Sequence, residues 1–193
     1  MNSISKEKAL LRERWKAQYP NYQPSFPSWS EEICRHIFSH PTFLKAERVA
    51  IYYPRDWEVN LLSLWRHRPQ TCGFPKTDSK NWEMEFFWVT SLGSEDMAPG
   101  VGGILEPIHT RGRKLGFFQE QDLVLIPGYA FDSSGARVGT GKGVYDRFLA
   151  KEGKLAKKWG VAFSPQVQSE PIQLEPHDIP LDGIVTEKGF IYF

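Results

Sequence analysis

The sequence predicts an α/β protein, a layered and largely parallel sheet flanked by helices, in a single domain over residues 1–193. Two observations predict it. Short β-branched or aromatic runs alternate along the chain with segments of helical period, the pattern that builds parallel strands through helical crossovers. The other is DLVLI, Asp122 to Ile126, an apolar run that reads as a strand buried on both faces and leads through Pro127 and Gly128 toward a glycine-rich stretch. Ligands in such sheets gather beyond the carboxyl ends of the strands. The expected architecture is therefore Rossmann-like, with that glycine-rich stretch at a ligand-binding end.

Each element has its own signal. From Ser5 to Tyr19 the residues are good helix formers with Leu11 and Trp15 four apart, and Pro20 predicts the stop. Ser28 and Glu31 have capping-box spacing ahead of an Ile33/Ile37 stripe, so a second helix is expected there, ending at Pro41. RVAIYYP, Arg48 to Pro54, reads as a strand closed by proline, and Glu58 to Arg68 as a helix with Leu61, Leu62 and Trp65 inward. Strands are expected at Thr71–Phe74 and at Glu83–Val89, with Ser91 to Gly103 as loop. Beyond the DLVLI strand come a helix beginning over Val144 to Ala150, a strand over Trp159 to Phe163 and a last strand over Gly183 to Phe193.

Composition excludes several function classes. The 24 basic and 23 acidic residues nearly cancel, so the chain lacks the broad positive field of a dedicated nucleic-acid binder. Any anion must be held locally. Cys34 and Cys72 are the only cysteines and stand far apart, which argues against a disulfide framework or a zinc site and fits a reduced compartment. No apolar run approaches the ~20 residues of a membrane helix, and MNSISKEK has no apolar signal core. A cytoplasmic protein acting on small molecules, with no nucleic-acid or membrane partner, is expected.

The chemistry concentrates in RVGTGKGVYDR, Arg137 to Arg147. Gly139, Gly141 and Gly143 let backbone N–H groups turn toward one anion, and Lys142 adds a mobile charge. Phosphate is the obvious ligand, with the helix start after Gly143 adding its positive end. The spacing is neither a Walker A loop nor a dinucleotide fingerprint. Asp146 could serve a magnesium ion accompanying phosphates, since that metal takes hard oxygen ligands. Lys8 and Arg12, four apart, put two like charges on one helical face, an arrangement that a bound polyphosphate would turn favourable.

LVLIPGYAFDSSGARVGTGKGVYDRFLA, Leu123 to Ala150, resembles the signature of the 5-formyltetrahydrofolate cyclo-ligase family. The likeness extends to the Lys8–Arg12 helix, to YYPRDWEV around Glu58, to GFPK and ILEP, and to HDIPLDGIVTEKG in the tail. The resemblance implies ATP-dependent, Mg²⁺-dependent closure of 5-formyltetrahydrofolate to 5,10-methenyltetrahydrofolate with release of ADP and phosphate, by a chain expected to work as a monomer. Its site residues, carried over by position, are Lys8, Arg12 and Arg137, Val138, Gly139, Thr140, Gly141, Lys142, Gly143, Val144 and Tyr145 for ATP. Residues Thr140 to Val144 are shared with the folate, Tyr53 and Glu58 look like folate-pocket residues, Lys142 and Tyr145 like catalytic ones, and Asp146 and Asp178 like magnesium ligands. Phe74, Trp82, Phe86 and Trp88 read as core or pocket wall.

The chain departs from the family pattern at Val144, where a second tyrosine is usual, at Asn60 and Leu61, and at Gly102, where an aromatic is frequent. These departures concern the folate side and leave the inferred phosphate and metal groups intact. The alternative expectation is a relative that binds nucleotide or folate without turnover, since fold alone does not fix function.

Overall fold

The computed structural model describes residues 3–108 and 113–193. The chain opens with α1 (Ser3–Tyr22), α2 (Phe26–Ser39) and α3 (Pro41–Lys45), then β1 (Val49–Ala50) and α4 (Leu62–His67). Strands β2 (Cys72–Thr77), β3 (Met84–Trp88), β4 (Met97–Pro99), β5 (Leu105–Pro107) and β6 (Arg113–Lys114) follow, then β7 (Leu123–Ile126), β8 (Ala130–Asp132), β9 (Arg137–Val138) and α5 (Val144–Ala150). The chain continues through β10 (Lys157–Val161), β11 (Val167–Gln168), β12 (Gly183–Thr186) and β13 (Gly189–Tyr192).

The central sheet has eight strands in the order β13-β12-β10-β7-β1-β2-β3-β6. Its five middle strands are parallel, β13 and β3 run antiparallel to them, and β6 pairs antiparallel with β3. Taken in chain order, the parallel strands β1, β2, β7, β10 and β12 lie as second, first, third, fourth, fifth. That is the doubly wound order whose direction of winding reverses between its first and third strands, here β1 and β7. At their amino ends these strands are pinned together, because the buried Asp122 carboxylate accepts from the Arg48 backbone N–H at 3.0 Å and pairs with the Arg48 guanidinium at 2.6 Å. Their carboxyl ends are where a crevice opens.

Strand alternation sends successive side chains to opposite faces, and both faces are dry. Val49, Leu123, Leu125, Trp159 and Val185 enter one core with Ile33, Ile37 and Phe43 of α2 and α3. Ala50, Val124, Ile126 and Ile184 enter the other with Phe148 and Leu149 of α5. DLVLI is therefore apolar at consecutive positions because each face has its own helical cover.

Several boundaries differ from expectation, each for a local reason. α1 runs through Pro20 to Tyr22. One lost hydrogen bond near a helix end is tolerable, and Tyr22 stacks on Trp15 at 6.2 Å, holding the last turn. α2 begins at Phe26 with Pro27 in its first turn, and Ser28 donates to the Ser25 carbonyl at 3.0 Å, so the expected capping box does not form. The segment from Glu58 to Leu61 is not helical: Asn60 accepts from the Leu62 N–H at 3.0 Å and draws a hydrogen bond from its own N–H to Ser30. The expected loop over 91–103 contains β4, which pairs with β5, and the expected final strand is a hairpin, β12–β13, closed by Gly189.

Candidate active site

A cavity of about 580 Å³ opens at the carboxyl ends of β1 and β7, at the point where the winding reverses. Its wall holds every residue that the sequence nominated except Val138, including Lys8, Arg12, Tyr53, Glu58, Lys142, Asp146 and Asp178. Val138 is the correction. Its side chain is buried with Leu11, Ala130, Ala136 and Ile172, and its carbonyl accepts from the Tyr129 N–H at 2.7 Å, because a β9 residue facing inward cannot also face a ligand.

The cationic side is assembled from α1 and the glycine loop. Arg12 Nε donates to the Gly139 carbonyl at 2.7 Å, tying helix to loop. Lys8 is nearly out of water between Glu175, at 3.1 Å, and Asp178. Arg137, 8% exposed, donates through Nη2 to Asp146 at 3.0 Å and lies over the Tyr145 ring, while its buried Nε has no partner among the described residues. A buried guanidinium N–H left free is costly unless a ligand meets it. Lys142 holds its ammonium 5.0 Å above the Trp82 ring. These four cations, with Arg55, border one cavity in a chain of almost no net charge.

The loop needs its glycines at two positions in particular. Gly141 and Gly143 have φ of +87° and +61°, and a Cβ on Gly141 would stand 3.3 Å from the Arg12 guanidinium. Either substitution forces an L-residue into the left-handed region beside a cation that must stay free. The helix after the loop begins at Val144 as expected and is short, Val144–Ala150. Its end is too short to add much to an anion site, and the side-chain cations and the loop are what the cavity offers an anion.

The rest of the lining includes carboxyls and phenols that burial makes harder to ionise. Glu58 accepts from the Arg55 backbone N–H at 3.0 Å, and loss of water pushes its carboxyl up to about 7, a rise that this bond and the Arg55 charge only moderate. Tyr145 and Tyr52 are held well above the ordinary phenol range, first by burial and then by the Glu58 charge. The Tyr52 hydroxyl is buried with no hydrogen-bond partner among the described residues. Glu106 lies beneath Gly100 on the same wall, its carboxyl raised by burial.

The carboxylates nominated for metal are both engaged with cations. Asp178 accepts from the Glu175 N–H at 2.7 Å and from Lys8; burial alone would raise its carboxyl, but these bonds and His177 carry it below the ordinary range. Asp146 is paired with Arg137 and accepts from the Ile179 N–H at 3.3 Å. Among the described residues, Glu175, His177 and Asp178 have ligand atoms within 4.8 Å of one another, and Asp146 is outside that group. The carboxylates of Glu175 and Asp178 fit a hard divalent ion, which would displace Lys8 from them.

Sequence reasoning missed Tyr52, Arg55, Glu106, Glu175 and His177, all on the cavity wall. Glu175 and His177 closely precede Asp178 in EPHD, so proximity in sequence could have found them. Tyr52 and Glu106 carry no local signal.

Residues 4–187 match the 5-formyltetrahydrofolate cyclo-ligase family. A Caenorhabditis elegans protein named a probable 5-formyltetrahydrofolate cyclo-ligase is 39% identical, covering 100% of this chain and 98% of its own. The Arabidopsis thaliana 5-formyltetrahydrofolate cyclo-ligase, mitochondrial, is 26% identical across 99% of this chain and 78% of its own. The solution structure of Aquifex aeolicus 5,10-methenyltetrahydrofolate synthetase superposes with a TM-score of 0.78 at 33% identity, covering 96% of this chain and 92% of the other. With fold, cavity and sequence in agreement, this chain belongs to the 5-formyltetrahydrofolate cyclo-ligase family.

Proposed function

We propose that this chain closes 5-formyltetrahydrofolate to 5,10-methenyltetrahydrofolate at the cost of ATP, with the cavity at β1 and β7 as its site. The observation that carries the reading is the lining of one cavity by two kinds of group: Lys8, Arg12, Arg137 and Lys142, together with Glu58, Tyr53 and Tyr52. A triphosphate suits the first and a pteridine the second, since a carboxylate accepts from the pterin N–H groups and an aromatic covers its face.

In the reaction the formyl oxygen forms a bond to the γ-phosphorus while the bond to the ADP oxygen breaks. N10 then attacks the formyl-derived carbon, the carbon–oxygen bond to phosphate breaks, and N10 loses its proton as the ring closes. Lys142 and the Gly139–Gly143 backbone hold the γ-phosphoryl oxygens in line, and such positioning with charge stabilisation supplies most of the acceleration of phosphoryl transfer. Arg137 takes a phosphate oxygen through the Nε that lacks a partner. Tyr145, stacked under Arg137, keeps that guanidinium aimed. Glu58 and Tyr53 fix the pterin so that N10 stands beside the activated carbon. Asp146 and Asp178 would hold Mg²⁺, which supplies neutralisation of phosphate charge when bound.

No described helix is long and apolar enough to cross a membrane. Cytoplasmic residence as a monomer is our reading, supported by Cys34 and Cys72, both free and buried as a reducing compartment allows. The test is to mix protein, Mg²⁺, ATP and 5-formyltetrahydrofolate and follow the near-ultraviolet absorbance of the methenyl product. Product that requires ATP supports the reading. Tight binding of nucleotide or folate with no product would replace it with a binding protein of the same family.

A further inference from the structure

Trp82 stands apart from the other tryptophans. The chain has seven, and Trp15, Trp29, Trp57, Trp65, Trp88 and Trp159 all pack in or against the two large cores. Trp82 belongs to neither and lines the cavity. It is also the one non-glycine residue with positive φ among those described, at +59°. A bulky residue is rare in the left-handed region, and strained positions of this kind persist where the surroundings over-determine them. Those surroundings are on view. In the turn between β2 and β3, the Trp82 N–H donates to the Asp78 carbonyl at 2.8 Å, and the Trp82 carbonyl accepts from Arg147 of α5 at 2.9 Å. The turn is thereby fastened to the helix that follows the glycine loop, with the indole directed at Lys142.

Lys142 is the loop cation with most freedom to move. It lies between Gly141 and Gly143, both with positive φ, is exposed, and makes no ion pair among the described residues. Its ammonium rests 5.0 Å from the indole centroid, a cation–π contact that a phosphate group outcompetes through full charge. The face it leaves is a planar apolar surface on a cavity that Glu58 and Tyr53 also line.

We propose that Trp82 is an exchangeable wall of the folate subsite: its ring carries Lys142 while the cavity is empty, and covers a planar ring of the folate once Lys142 moves to the nucleotide's phosphates. This rests on the cyclo-ligase reading and deepens it. Nucleotide binding then prepares the folate subsite, and linkage requires folate to tighten nucleotide binding by the same factor. The arrangement also locates an aromatic surface for the folate in a chain that has glycine at position 102.

The experiment is calorimetric titration of 5-formyltetrahydrofolate with and without Mg²⁺ and a β,γ-imido analogue of ATP, on wild type, Trp82→Leu and Trp82→Gly. Wild type is expected to bind folate at least about 5-fold tighter with the analogue, the lower end of usual coupling. Trp82→Leu should weaken folate about 10-fold and abolish the coupling, while its affinity for the analogue is unchanged or higher, since Lys142 is no longer held. Trp82→Gly relieves the left-handed strain, so its melting temperature should equal or exceed that of wild type even as folate affinity falls; a purely structural tryptophan would move both downward together. Folate affinity and coupling in Trp82→Leu within twofold of wild type would overturn the proposal. Failure of wild type itself to bind 5-formyltetrahydrofolate would remove the cyclo-ligase reading beneath it.

Discussion

Arg137 donates to Asp146 at 3.0 Å, and both side chains border the cavity with most of their surface out of water. Lys8 and Asp178 repeat the arrangement on the other flank. Each nominated metal ligand is therefore held by a nominated phosphate ligand, and within each pair the charges balance. Binding Mg²⁺ alone would strand two cations, and binding a bare polyphosphate would strand two carboxylates. The pairs favour arrival of metal and phosphate together.

Asp146→Asn separates these effects. Losing the carboxylate should raise the half-saturating Mg²⁺ concentration for turnover about 10-fold, roughly the worth of one well-placed charged ligand. The same change frees Arg137, so affinity for metal-free tripolyphosphate should rise about 3-fold, the scale of a modest ion pair. Metal titration of the rate and calorimetry with tripolyphosphate measure the two, and an unchanged metal titration would count against coordination at Asp146.

Glu58 carries a pH prediction. Its folded-state value of about 7 lies above the roughly 4.3 of an unfolded glutamate, so the folded protein resists ionising it. The penalty is absent below the unfolded value, grows as pH rises between the two and is complete above the folded one. Burial raises the Glu58 value and Arg55 opposes the rise, while the Glu58 charge in turn raises Tyr52 and Tyr145. Glu58→Gln should accordingly gain on the order of 1 kcal/mol over wild type at pH 8, a figure kept small because Glu58 opens on the cavity, with the gain vanishing toward pH 4. Folate KM should climb below pH 7 in wild type and stay flat, though higher, in the variant. Thermal melts and rate profiles across this range supply both readings.

The fold was legible where burial leaves a pattern. DLVLI announced a doubly covered strand, and Leu11 with Trp15 a helix face, because apolar periodicity records which side meets the core. Boundaries set by tertiary contacts were not legible: Tyr22 stacking on Trp15 extends α1 past Pro20, and Ser30 drawing on Asn60 delays α4. The glycine loop was visible because positive φ demands glycine. Trp82 was legible as core or pocket wall and lines the cavity, but Tyr52 was not, since a tyrosine after a strand gives no local hint of what it will face.

Tyr52→Phe tests that buried hydroxyl directly. Removing a buried donor that has no partner loses nothing and relieves a desolvation cost, so stability to urea should be unchanged or improve by up to about 1 kcal/mol. A fall beyond that in urea unfolding would mean the hydroxyl is satisfied in the free protein.

Lys142→Ala addresses the chemical step. Near Trp82 the ammonium contributes little to the folded state, because an exposed cation–π contact is worth only about 0.5–1 kcal/mol. The melting temperature should therefore stay close to wild type. Turnover should not, since the same ammonium is positioned to meet charge that develops on the γ-phosphoryl oxygens as the formyl oxygen attacks. Removing one such donor lowers kcat by about 10²–10³-fold in comparable sites. Single-turnover rates at saturating ATP and folate isolate that step from binding, and a rate within a few-fold of wild type would take Lys142 out of the chemistry while leaving it free to act only as the cation that Trp82 exchanges.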